Sequence, residues 1–148
     1  MKLSGSILII LFLVSLSGTQ AQFFSRKTNR FDENGLKTGR WVSYWDDDHK
    51  VPMSKARYNN GRECGTSKEY HQNGIIRLKM RFQKKKIRIK YYRENRKLEQ
   101  KGWARIEYNE SDIHFFWHGI WKFFNADRKL IEIAEYLNGE EKSRRTIY

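Results

Sequence analysis

Asn-Gly occurs four times in this chain, at 34–35, 60–61, 73–74 and 138–139. Each pair sits between segments that alternate apolar and polar residues. Asn and Gly tolerate positive φ, and a two-residue type I′ hairpin loop needs positive φ at both central positions. Four such pairs in 148 residues predict a series of hairpins. No segment beyond residue 21 carries a sustained helical stripe.

The surroundings of these pairs repeat as well. Asn34-Gly35-x-x-x-Gly39 matches Asn60-Gly61-x-x-x-Gly65. An aromatic stands five residues after the second glycine, as Tyr44 and Tyr70, and Gly119 is followed in the same way by Phe124. Trp41 and Trp121 stand two residues after their glycines. A polar turn comes next in each copy: Asp47-Asp48, Asn73-Gly74 and Asp127-Arg128. A degenerate copy runs through Ile87, Ile89, Tyr92 and Asn95-Arg96, and its glycine is lost. Each unit closes on an aromatic: Tyr58 before Asn60-Gly61, Phe82 before the Gln83–Lys86 turn, Tyr136 before Asn138-Gly139. Trp103 to His118 spaces the last two units apart and holds a predicted turn at Asn109–Asp112.

Period-two alternation supports strands. Ile76, Leu78, Met80 and Phe82 alternate with Arg77, Lys79 and Arg81, and Ile87, Ile89 and Tyr91 alternate with Lys86, Arg88 and Lys90. The one proline, Pro52, is expected in the loop Asp46–Ser54, away from any ladder. The predicted fold class is therefore all-β: serial antiparallel hairpins forming an elongated meandering sheet. A non-repetitive β-sandwich with similar turns is the alternative. Trp41, Tyr44, Trp121 and Phe124 are expected to pack one unit on the next.

The pattern N-G-x-x-x-G-x-W-x-x-Y-x-x-x-G resembles the MORN-repeat variant of bacterial YwqK-family antitoxin proteins. Asn34-Gly35, Gly39, Trp41 and Tyr44 carry it once. Asn60-Gly61, Gly65, Tyr70 and Asn73-Gly74 carry it again, and Gly119, Trp121 and Phe124 a third time. The resemblance covers most of residues 31–140. It implies a MORN-like meander of hairpins acting as a binding or scaffold module, with no catalytic residues. Eukaryotic MORN proteins are linked to membrane lipids and protein partners.

The N-terminal segment points to export. Lys2 precedes an apolar run, Ile7 to Leu16, too short for a comfortable membrane span, and Ser17 to Ala21 is small and polar. Residues 1–21 read as a signal peptide, with 22–148 as one MORN-like β-repeat domain in the periplasm or beyond; retention as an anchor is the alternative. Export argues against a cytoplasmic antitoxin. Cys64 is the only cysteine, so the chain can hold no internal disulfide.

The formal charge is +13. Much of it lies in residues 77–97, which hold Arg77, Lys79, Arg81, Lys84, Lys85, Lys86, Arg88 and Lys90 among their basic residues against one acid, Glu94. A hairpin of 76–82 with 87–92 would let these side chains share one face. That face suits lipid headgroups or acidic glycans, and its bland reading is a solvated surface that blunts strand edges. Peripheral membrane contact is compatible with it. Tyr91, Tyr92 and Trp103 lie near it for base stacking, but RNA-recognition and cold-shock patterns are absent and export argues against nucleic acid.

His114 and His118 fall on one side of a predicted strand, too far apart for one ion, and His49 and His71 lie in predicted turns. Asp46-Asp47-Asp48 lacks the spacing of a calcium loop, and Ser43, Ser67 and Ser111 lack a glycine elbow. The expectation is a non-enzymatic interaction module with no cofactor and no metal. It would bind a protein or an anionic surface through its repeat sheet. An antitoxin-like or structural scaffold protein with a protein partner only is the first alternative, and an enzyme without a recognisable motif is the second.

Overall fold

The computed structural model describes residues 27–109 and 112–148. The expected signal segment lies outside the described residues. Among the described residues, eleven strands follow one another without a helix: β1 (Arg30–Phe31), β2 (Lys37–Tyr44), β3 (Pro52–Asn59), β4 (Arg62–Glu63), β5 (Thr66–Tyr70), β6 (Ile76–Gln83), β7 (Lys86–Tyr92), β8 (Leu98–Tyr108), β9 (Ile113–Phe124), β10 (Leu130–Leu137) and β11 (Glu140–Thr146). They form one open antiparallel sheet in chain order, with β4 and β5 both paired to β3. The fold is therefore the expected all-β meander of serial hairpins.

Two kinds of turn alternate between the two ends of the sheet. At one end, Asn60-Gly61 and Asn138-Gly139 have positive φ at both residues, as the two-residue loop requires. At the other, His71–Ile75, Arg93–Lys97 and Asn125–Lys129 form longer turns. In each, the first residue's N–H donates to the last residue's carbonyl, at 2.8, 2.9 and 3.0 Å. This corrects the uniform reading of Asn-Gly. In 34–35 and 73–74 only the glycine has positive φ. Asn73 contributes its side chain instead: Oδ1 accepts the Ile75 N–H at 3.1 Å, as Asn95 Oδ1 does for Lys97. The position after that asparagine is also held by Arg96 and Arg128, both with positive φ.

The aromatics that precede these turns mark a second regularity. Tyr44, Tyr70, Tyr92 and Phe124 each face a bulge in the next strand, which adds Met53, Arg77, Glu99 and Ile131 respectively. Pro52 is paired with Tyr44 as the first residue of β3, so it lies in the sheet rather than in the expected loop. A first strand position tolerates proline.

The glycine at 65 has φ +70 and interrupts the strand between β4 and β5. The Cys64 N–H still reaches the Arg57 carbonyl, and the Gly65 carbonyl still receives the Phe82 N–H. The degenerate unit has lost this break along with its glycine. Asn60 to Tyr70 is ten positions, whereas Lys84 to Tyr92 is eight. Its β6–β7 ladder is regular up to Gln83↔Lys86, and Ile87, in the glycine's place, is fully buried.

One face of the sheet is apolar. Leu78, Ile87, Ile89, Ala104 and Trp121 form its centre, with Met80, Phe82, Tyr91, Ile106, Trp117, Phe123 and Tyr136 packed around them. No second layer of secondary structure covers this face among the described residues; its own aromatics do. Trp121 is 0 % exposed. It stacks on Trp117 at 3.6 Å, is flanked by Tyr91 and Tyr136, and donates its indole N–H to the Trp103 carbonyl at 2.9 Å. Gly102 lies directly beneath it, and a Cβ there would overlap the indole. At the β2–β3 end the same face carries Trp41, in edge contact with Phe31 and Tyr58.

Candidate anionic contact face

The opposite face takes its character from register. In a sheet, residues directly paired across strands point to the same side. Lys55 pairs with Lys68, Lys68 with Lys79, Lys79 with Lys90, Lys90 with Lys101, and Lys101 with Lys122. One lysine from each of β3, β5, β6, β7, β8 and β9 therefore stands in a single row across the sheet. Val42 ends the row on the β2 side and Ile133 on the β10 side. A second row runs beside it, in which Arg81 pairs with Arg88 and Arg88 with Trp103.

Like charges directly opposite one another destabilise a sheet. Attachment points about 4.8 Å apart lie well inside a Debye length of about 8 Å at physiological salt. Lys90 stands midway along the row. Desolvation lowers its pKa first, and Arg88, Lys101 and Lys79 lower it further. No ion pair among the described residues offsets this. The ion pairs of the described residues join Lys50 to Asp48, His71 to Glu94, Arg77 to Glu69, Arg93 to Glu99, Lys142 to Glu140, and Arg144 to Glu132 and Glu141. None uses a lysine of the row.

The aromatics Tyr44, Tyr70, Tyr92 and Phe124 belong to this face. They stand three residues after the positions that carry Trp41 and Trp121, and an odd offset along a strand reverses the side. Lys55 Nζ lies over the Tyr70 ring at 5.5 Å and Lys101 Nζ over the Phe124 ring at 5.4 Å. The expected packing role therefore divides. Trp41 and Trp121 pack on the apolar face, while Tyr44 and Phe124 lie beside the lysines.

The residues expected to make the anionic contact divide as well. Lys79, Arg81, Arg88 and Lys90 come together on the basic face. Lys86, the first residue of β7, pairs with Arg105 and stands on that face too, whereas Lys84 and Lys85 form the short turn at one sheet end. There they line a cleft with Arg62, Arg105 and Tyr108, the Arg62 guanidinium lying 4.4 Å from the Tyr108 ring centre. Arg77 departs from expectation. It is the extra residue of the β5–β6 bulge, and its guanidinium pairs with Glu69, which is in register with Ser54 and Leu78 on the apolar side. Tyr91, on that side, feels both charges. The bulge takes Arg77 out of the alternation that its neighbours keep.

Sequence reasoning missed Lys55, Lys68, Lys101 and Lys122, because they lie outside the basic stretch and only register aligns them with it. His118 is paired with Trp103 and His114 with Glu107. Among the described residues, no three of His, Cys, Asp and Glu gather as a metal-holding group. Cys64 is a free, half-buried thiol in the β4–β5 break. The chain matches no protein-family model, no curated protein and no solved structure.

Proposed function

We propose that this chain is a non-enzymatic β-repeat binding module, of the MORN-like kind, that engages anionic groups through the basic face of its sheet. The observation that carries this reading is the in-register row of six lysines with no carboxylate partner among the described residues. Six aligned cations are a standing cost to the free protein. A ligand bearing negative charge removes that cost and gains a charge-assisted contact from each lysine it reaches. The apolar N-terminal run of residues 7–16 supports an exported setting, where acidic glycans and lipid headgroups are the accessible anions.

The test is binding to an acidic glycan and to anionic vesicles at two salt concentrations. Binding weakens steeply with salt in the native chain and is abolished in a Lys79→Glu/Arg81→Glu/Lys90→Glu variant that keeps its strand circular dichroism. Binding that survives this triple reversal contradicts the reading. Arg77→Glu, on the other side of the sheet, leaves binding unchanged.

A further inference from the structure

The shape of the cationic surface is informative beyond its sign. The lysine row crosses six strands at right angles, and at about 4.8 Å per strand it is about 24 Å long. It is narrow, since each strand contributes one lysine to it. Parallel to it, one step toward the longer turns, runs the rail of Tyr44, Tyr70, Tyr92 and Phe124. Two shallow grooves include residues of the row. Tyr44, Lys55, Lys68, Tyr70 and Lys79 line one, and Arg88, Lys101, Trp103 and Lys122 line another further along the row. Trp103 is 37 % exposed and lies 6.0 Å from the Arg88 guanidinium, so it offers a ring face beside the cations.

We propose that this row is a track for a linear acidic polysaccharide laid across the strands, with anionic groups taken up by successive lysines and sugar faces resting on the flanking aromatics. This rests on the anionic-contact reading above and commits it to one ligand class. A polymer with one carboxylate or sulfate per sugar repeats its charge on the scale of a single ring, comparable with the strand spacing. A duplex winds its phosphates around the helix axis, one about every 3.4 Å of axis on each strand, so it presents no straight row of charge matched to the strand spacing. A bilayer has no preferred direction, whereas the lysines and the aromatic rail here share one.

The experiment is calorimetric titration of the full chain with sulfated and carboxylated oligosaccharides from disaccharide to dodecasaccharide, beside phosphatidylserine-containing vesicles. Affinity is expected to rise at least tenfold between the disaccharide and a chain long enough to span the row, then to level off. Lys79→Gln/Lys90→Gln removes most of that rise and leaves the thermal midpoint unchanged or higher. Equal affinity at every length overturns the track and leaves the basic-face reading standing. Vesicle binding with no oligosaccharide binding overturns the track in favour of a membrane. No binding to either overturns both readings.

Discussion

Gly102 and Lys90 show two different ways in which one residue carries information in this sheet. Gly102 is required because the Trp121 indole lies on its backbone. Gly102→Ala is expected to destabilise the fold by about 1–3 kcal/mol, the usual cost of overpacking a filled core. Chemical denaturation followed by tryptophan fluorescence checks this, and an unchanged midpoint speaks against the packing described. Lys90 carries the opposite sign. Its lowered pKa means that the unfolded chain binds the proton more tightly than the folded one. The resulting penalty is full at neutral pH and is relieved as pH rises through the lowered value toward that of an ordinary lysine. Lys90→Gln should therefore raise the stability of the free protein, by about 0.2–1 kcal/mol for a like-charge cross-strand contact, while weakening polyanion binding. A midpoint that falls in this variant contradicts the account of the row. At this scale the sequence is partly transparent. The three-residue offset from Trp41 to Tyr44 is enough to place the two on opposite faces. Arg77 is opaque, because the bulge that diverts it shows only once Glu69 and Leu78 are seen paired.

Elements were legible where turn chemistry is local. Asn60-Gly61, the Gln83–Lys86 turn and Asn138-Gly139 all close hairpins as read, and the Asn109 N–H donates to the Asp112 carbonyl at 2.9 Å across the β8–β9 turn. Turn type was less legible. Asn-Gly serves two geometries here, and which one forms depends on the number of residues the flanking strands must bridge. The β10–β11 hairpin makes a prediction of its own. Arg144 donates to Glu141 and Glu132 and lies over Phe123, and Glu141 also accepts from the Tyr136 hydroxyl. Hydrogen bonds from Arg144 and Tyr136 hold the Glu141 carboxyl down to about 2. A depressed carboxyl stabilises the fold above its unfolded value, about 4.5, and that stability is lost as pH falls through about 2. Protection of the β11 amides, relative to their intrinsic exchange rate, should therefore fall between pH 4 and pH 2. Glu141→Gln should flatten that dependence; an identical profile in the variant removes the network from the account.

The molecule as a whole is an open sheet with an aromatic side and a cationic side, and the division arises from pairing rather than from composition. The basic stretch of residues 77–97 drew attention to β6 and β7 alone. Lys55, Lys68, Lys101 and Lys122 lie in segments of ordinary charge, and six strands have to be in register before their alignment exists. The fold class was readable because hairpin signals are local; the candidate site was not, because it is a property of the assembled ladder. Restoring the two residues and the glycine missing before Tyr92 should shift β7 against its neighbours. Such an insertion is expected to weaken polyanion binding without removing a single lysine, and a binding curve unaltered by it speaks against register as the organising feature. The most direct measurement is the salt dependence of binding to a long acidic polysaccharide, for the native chain and for variants with one lysine of the row changed to glutamine. With six lysines engaged, the account predicts a log–log slope of about four to five, lowered by about one at each substitution wherever along the row it falls. A slope near zero, or one that these substitutions leave unchanged, contradicts it.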